Sequence, residues 1–149
     1  MSQITIKPIG IVISEVSEPQ RGMGKWNDVI SEIVIDEDMN EYLDGLEEFS
    51  HILVIFWMHK SPVKGSPPRK VHPRGRADLP LVGLFATRSP RRPNPLGETT
   101  VPLLKRQANV LTVEGLDAVD GTPVIDIKPY LPKYDSTTNP RVASWLTNQ

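Results

Sequence analysis

The chain has 149 residues, among them 15 prolines, 10 glycines and no cysteine, with 17 basic and 18 acidic residues for a formal net charge of −1. This length predicts one domain, or at most two small ones, able to bury a core without disulfides. The missing cysteine excludes a disulfide scaffold, a cysteine nucleophile and thiolate-ligated zinc or iron–sulfur sites, and it fits a reducing cytoplasm. No apolar run approaches the ~20 residues of a membrane-spanning helix, and the first twenty residues lack the regions of a signal peptide.

In chain order, Ile4 and Ile6, then Ile9, Ile11 and Ile13, predict a strand over 4–14 with a break near Pro8. Residues 17–27 are polar and read as a loop, and 29–35 as a β-branched strand. Residues 36–46 read as a short helix with acids in its first turn and Gly45 at its end. The nearly unbroken apolar segment 51–59, HILVIFWMH, predicts a strand buried on both faces, with His51 and His59 on one side of it. A long basic, proline-rich loop over 60–80 precedes a strand over 81–87. Residues 88–97 include Pro90, Pro93 and Pro95 and cannot be regular. Strands follow at 99–105, 110–116 and 122–127, the last after a turn at Asp120-Gly121. Asn139-Pro140 reads as the start of a short terminal helix reaching Leu146. Strands do not alternate with helices, so the expected fold is mostly β: a single small β-barrel of about seven short strands with one or two short helices, 1–149 forming one domain.

The charges are segregated. Glu15 to Glu48 holds eleven acids against Arg21 and Lys25; Lys60 to Arg92 holds nine bases against Asp78. The basic segment reads either as a phosphate-facing surface or as a solvated loop that balances the acidic one. His51, His59 and His72 lack metal-ligand spacing, so no metal site is expected. Trp26, Trp57 and Trp145 read as core or interface anchors.

Two regions stand out as candidate chemistry. In 85–97 three prolines stiffen a loop that presents Arg88 and Asn94, and arginine suits carboxylate or phosphate. The alternative is a proline-rich loop with exposed arginines. In 116–132, Asp126 and Lys128 alternate with Ile125 and Ile127, so the charged pair shares one strand face and Tyr130 follows at the strand end. The plain alternative is a surface ion pair.

Three blocks, GLEEFSHILVIFWMHK, LVGLFATRSPRRPNPLG and GLDAVDGTPVIDIKPYLP, resemble the signature blocks of the TrmO/TsaA-like family, and the opening KPIGIVIS resembles that family's first strand. The resemblance spans residues 7 to 132. It implies a single-domain β-barrel, a homodimer, and S-adenosylmethionine as methyl donor for tRNA. The implied acceptor is N6 of N6-threonylcarbamoyladenosine, the modified base 3′ of the anticodon.

The resemblance also implies a cofactor pocket made of Pro19, Gln20 and Arg21, His59 and Lys60, Arg88, Glu98, and Glu114, Gly115, Leu116 and Asp117. Gln20-Arg21 stands in exchanged order relative to the family, and Glu98 stands where the family usually has Met or Leu. Some bacterial members carry a further C-terminal domain; the basic loop 60–80 is expected to supply part of its tRNA binding here.

The acceptor nitrogen belongs to a urea-like group and needs to lose its proton. Asp126 is the first candidate base and Asp117 the second. Arg88, Arg92 or Lys128 is expected to meet the threonyl carboxylate, Asn94 the adenine edge or carbamoyl group, and Tyr130 to stack or donate a hydrogen bond. The competing functions are a non-catalytic RNA-binding module and an S-adenosylmethionine sensor on the same fold.

Overall fold

A computed structural model of the protein describes residues 2–20, 24–61 and 65–146. Arg21 and Lys64 lie outside the described residues. The strands are β1 Gly10–Ile13, β2 Ile30–Ile35, β3 His51–Trp57, β4 Lys70–Val71, β5 Val82–Gly83, β6 Leu96–Gln107, β7 Val110–Glu114 and β8 Pro123–Pro129; one α-helical turn, α1, spans Pro132–Asp135. The chain divides into two compact units, 1–60 with 96–130, and 61–95 with 131–149.

The first unit is a closed antiparallel barrel in the order β1-β2-β7-β6-β3-β8. Its inward residues form one apolar core: Val12 from β1, Ile33 and Ile35 from β2, Ile52, Val54 and Phe56 from β3, Val101 from β6, Leu111 and Val113 from β7, and Val124 from β8. Burying one such side chain contributes about 1.5–3 kcal/mol, and closure leaves no open edge to pair with another chain. Gly10 and Gly97 permit two close approaches. A Cβ on Gly10 would meet the Val34 carbonyl oxygen, and one on Gly97 would lie 2.5 Å from the Phe56 ring.

β6 is longer than its apolar pattern predicts because it serves two partners. Its first half pairs with β3 up to His51↔Pro102, and its second half pairs with β7 after a register shift between Leu103 and Lys105. Pro102 sits at this hand-over, where a missing N–H costs least. Arg106 then ties β6 to the acidic turns before β3. It bonds Asp44 at 3.1 Å, Glu47 at 3.2 Å and the Asn40 side chain at 3.2 Å.

Several elements differ from the sequence expectation. The first strand begins only at Gly10. Ile4 is 85% exposed and Ile6 47% exposed; pairing starts with Ile9 N donating to Val124 O at 2.8 Å, just past Pro8, which has no N–H to give. Residues 37–43 and 46–48 are 3₁₀ turns, separated by Gly45 at φ +91°. His59 lies beyond the end of β3, so strand alternation does not relate it to His51.

The second unit holds the two-stranded β4–β5 sheet and α1. The expected strand 81–87 is β5 followed by a 3₁₀ turn, Leu84–Ala86. The expected terminal helix is a single 3₁₀ turn, Ser144–Leu146, and Asn139 has φ +53°, which removes it from an N-cap role. α1, with Pro132 at its first position, was not anticipated.

Candidate active site

The antiparallel ladders set the C-terminal ends of β1, β3 and β7 and the N-terminal ends of β2, β6 and β8 at one rim of the barrel. The loops 14–20, 58–60 and 115–122 emerge there. They are laced together: Ser14 N donates to Asp120 Oδ1 at 2.9 Å, Asp120 N to Val16 O at 2.7 Å and Gly121 N to Val12 O at 2.8 Å. Lys60 Nζ donates to Ser17 O at 2.6 Å and lies 3.5 Å from Glu18 Oε1. The His59 ring approaches Gly121, whose φ is +82°, and a Cβ there would lie 3.8 Å from His59 Nε2.

The segment after β7 closes this rim. Leu116, Ala118 and Val119 are buried, while Asp117 between them is exposed and accepts a hydrogen bond from the Thr99 hydroxyl. Gly115 at φ +82° begins the segment, its N–H held by Val29 O at 2.8 Å. This geometry explains the glycine: a left-handed backbone turn lets the next residue enter the barrel. Of the residues singled out from the sequence, Pro19, Gln20, His59, Lys60, Glu114, Gly115, Leu116 and Asp117 therefore share one rim.

Asp126 and Lys128 lie elsewhere, on the outer wall. The ladder between β3 and β8 pairs Ile55 with Asp126 but Phe56 with Val124, leaving Ile125 as a bulge. Val124 points inward, the bulge consumes one residue, and Ile127 points inward again to pack on the core. Asp126 and Lys128 are thereby turned outward, where Lys128 Nζ meets Asp126 Oδ2 at 2.9 Å. Asp126 Oδ1 also accepts the Ile127 N–H at 2.9 Å. The hydrogen bond to Asp126, and then its charge, hold the Lys128 ammonium above the ordinary lysine pKa.

Ile55 pairs with Glu98 on its other side, so Asp126, Ile55 and Glu98 form one outward row across three strands. That row is two residues, roughly 7 Å, from the Trp57 end of β3. Tyr130 is not near the rim. Its N–H bonds His51 O at 3.1 Å and its ring meets the His51 ring edge-on at 6.3 Å, at the opposite end of β3. Six residues of strand, roughly 20 Å, separate that level from Trp57.

Arg88 and Asn94 belong to the second unit and are exposed. Arg92 is committed locally: its Nη1 donates to Thr87 O at 2.8 Å and Ser89 O at 3.1 Å, and its guanidinium lies over the Phe85 ring. Arg76 is held by Asp78 at 2.5 Å. The hydrogen bond from Arg76 holds the Asp78 carboxyl below the usual carboxylate range.

Thr99 was missed in the sequence. Its signal was a hydroxyl at an inward position of a strand, in register with Val101, where an apolar residue is the norm. A shallow concavity of about 430 Å³ on the outer wall of β1, β2 and β7 shares no residue with the candidate set. Among the described residues no cluster of His, Asp and Glu has metal-site geometry, and no helix is long and apolar enough to cross a membrane.

Residues 14–136 match the family model described as the tRNA-methyltransferase O N-terminal domain. A probable S-adenosyl-L-methionine-binding protein of Pyrococcus abyssi is 38% identical over 148 residues, which cover 96% of this chain and 76% of that protein. A mouse tRNA (adenine(37)-N6)-methyltransferase is 43% identical over 102 residues, 65% of this chain and 22% of that protein. The crystal structure of TrmO from Pseudomonas aeruginosa superposes with a TM-score of 0.74 at 29% identity, covering 96% of this chain and 63% of that one. With a family match across most of its length and a relative of this identity along nearly all of it, the chain belongs to the tRNA-methyltransferase O N-terminal domain family.

Proposed function

We propose that the protein is an S-adenosylmethionine-dependent tRNA methyltransferase, and that its acceptor is N6 of N6-threonylcarbamoyladenosine beside the anticodon. The observation that carries this reading is the gathering of His59, Lys60, Glu114, Gly115, Leu116 and Asp117 on one laced rim of the barrel. The donor set there suits the cofactor: carboxylates for its ammonium, sulfonium and ribose hydroxyls, a lysine for its carboxylate, and backbone groups with an imidazole for its adenine. Pro19, Gln20 and Arg21 complete the proposed cofactor contacts, with Glu98 and Arg88 as further ones.

When bound, S-adenosylmethionine supplies a methyl group carried on a sulfonium cation. The chain's own task is to orient the acceptor and take its proton. Asp126 is the proposed base. It stands two residue levels below the Trp57 end of β3, half exposed, with Lys128 holding the carboxylate in place. Asp117 is the second candidate, on the rim itself. Arg88 is proposed to bind a carboxylate, that of the threonyl group or of the cofactor, because Arg92 already spends its guanidinium on its own loop. Asn94 is proposed to read the adenine edge or the carbamoyl group, and Tyr130 to assist acceptor binding.

We read 1–149 as one family domain, since the family match runs continuously through both compact units. The proposed assembly is a homodimer working in the cytoplasm. Ile11, Ile13 and Ile30, exposed on adjacent strands of the outer barrel wall, offer the apolar surface that self-association needs. Light scattering on the purified protein tests the dimer. For the activity, the decisive assay compares methyl transfer to threonylcarbamoylated and unmodified tRNA. Transfer to the modified tRNA alone is expected. Cofactor binding without transfer to either would leave a sensor, and RNA binding without cofactor binding a non-catalytic module.

A further inference from the structure

The loop that follows β5 carries an aromatic ring with no place in the methyl-transfer reading. In the 3₁₀ turn Leu84–Ala86, Leu84 is 5% exposed and anchors the turn, while its neighbour Phe85 is 78% exposed. The Arg92 guanidinium lies over this ring, 5.6 Å from its centroid. Both partners are held. Arg92 Nη1 is fixed by the carbonyls of Thr87 and Ser89, Thr87 Oγ1 donates to Leu84 O at 2.8 Å, and Ser61 Oγ donates to Pro90 O at 3.0 Å. With one face under the guanidinium and 78% of the residue in solvent, the ring offers its opposite face to water.

An isolated exposed aromatic is ordinary, and Tyr42 is 86% exposed. Tyr42, however, lies between Glu41 and Asp44, where phosphates are repelled. Phe85 lies in a segment with Arg88 and Arg91, whose side chains make no ion pair or hydrogen bond among the described residues. A rigid aromatic face beside uncommitted cations is the arrangement that binds single-stranded RNA: the base stacks and the flanking phosphates meet arginine. Cation–π contact from behind keeps the ring oriented without covering it, so little side-chain freedom is lost on binding.

We propose that Phe85, backed by Arg92, is a stacking platform for an unpaired RNA base, and that Arg91 flanks it for the adjoining backbone. This deepens the tRNA reading above and rests on it for the identity of the RNA.

The test uses the full chain and an anticodon stem-loop RNA with 2-aminopurine in its loop. Wild-type protein is expected to bind this RNA and quench the probe. Phe85→Leu is expected to weaken binding about ten-fold and abolish quenching, and Phe85→Trp to restore both. In methyl transfer, Phe85→Leu is expected to raise KM for tRNA with kcat and S-adenosylmethionine affinity unchanged. Phe85→Leu matching wild type in affinity and quenching overturns the platform; so does failure of wild type to bind the RNA. Quenched binding by a wild-type protein that methylates no tRNA supports the platform and defeats the proposed function, so the two ideas fail separately.

Discussion

Asp126 and Lys128 form an ion pair on the outside of the barrel, 2.9 Å between Oδ2 and Nζ, because a single bulged residue, Ile125, turns them there. Without the bulge, the inward position of Val124 would recur at Asp126 and drive a carboxylate into the core.

If Asp126 takes the acceptor proton, Asp126→Asn lowers single-turnover methyl transfer by at least ~100-fold, the usual scale for a positioned acid–base group, and leaves cofactor affinity nearly intact. Arg88→Ala is expected to fall by a similar factor through lost electrostatic positioning. Rapid-quench assays with calorimetric cofactor titration check both. An Asn variant of near-normal rate moves the role to Asp117.

Lys128 titrates above the ordinary lysine value of 10.5, first through its hydrogen bond to Asp126 and then through that residue's charge. A group whose folded pKa is raised contributes stability that is complete below the unfolded pKa and is lost as pH rises through the folded one. The lysine is therefore charged at neutral pH, and its contribution to the pair is lost only in strongly alkaline solution. Side-chain NMR of Lys128 is expected to show this high pKa in wild type and its return toward the ordinary value in Asp126→Asn.

Gly97 closes the second signature block, and its need is steric. A Cβ there would stand 2.5 Å from the buried Phe56 ring, on the inner face of the barrel. Gly97→Ala is expected to cost about 1–3 kcal/mol, the range for overpacking a filled core. Urea unfolding reads this directly, and the companion Phe56→Leu is expected to recover part of the loss in the double variant.

Of the basic segment, Arg76 is neutralised by Asp78 and Arg92 is spent on its own loop. The acids Asp44 and Glu47 are bound by Arg106 of β6. Replacing Arg69, Lys70 and Arg91 together by Gln is therefore expected to weaken tRNA binding and to flatten its salt slope by about one unit per lost phosphate contact, with cofactor binding unchanged. A salt titration of a folded triple variant measures it. An unchanged slope with lower stability would mean that these residues serve the fold.

Much of the barrel was determined by local sequence. The run from Ile52 to Phe56 leaves no polar face, which marks a strand with little exposure on either side, and it pairs with β6 on one side and β8 on the other. Pro90, Pro93 and Pro95 exclude regular structure from their loop, and Gly45 and Gly121 mark chain reversals at φ +91° and +82°. The three signature blocks carry the family by themselves. What chain spacing could not decide depends on partners distant in sequence. Barrel closure decides that β6 serves two neighbours, and the ladder to β3 decides where β8 bulges and hence which way Asp126 points. Register along β3 puts Tyr130 at the far end from His59 and Lys60. The Leu84–Ala86 turn shows the same limit: LVGLFAT is apolar enough to read as a strand, but only packing buries Leu84 and leaves Phe85 in water. A side chain's face is set by hydrogen-bond register and burial across the whole molecule, and these are absent from any short window of sequence.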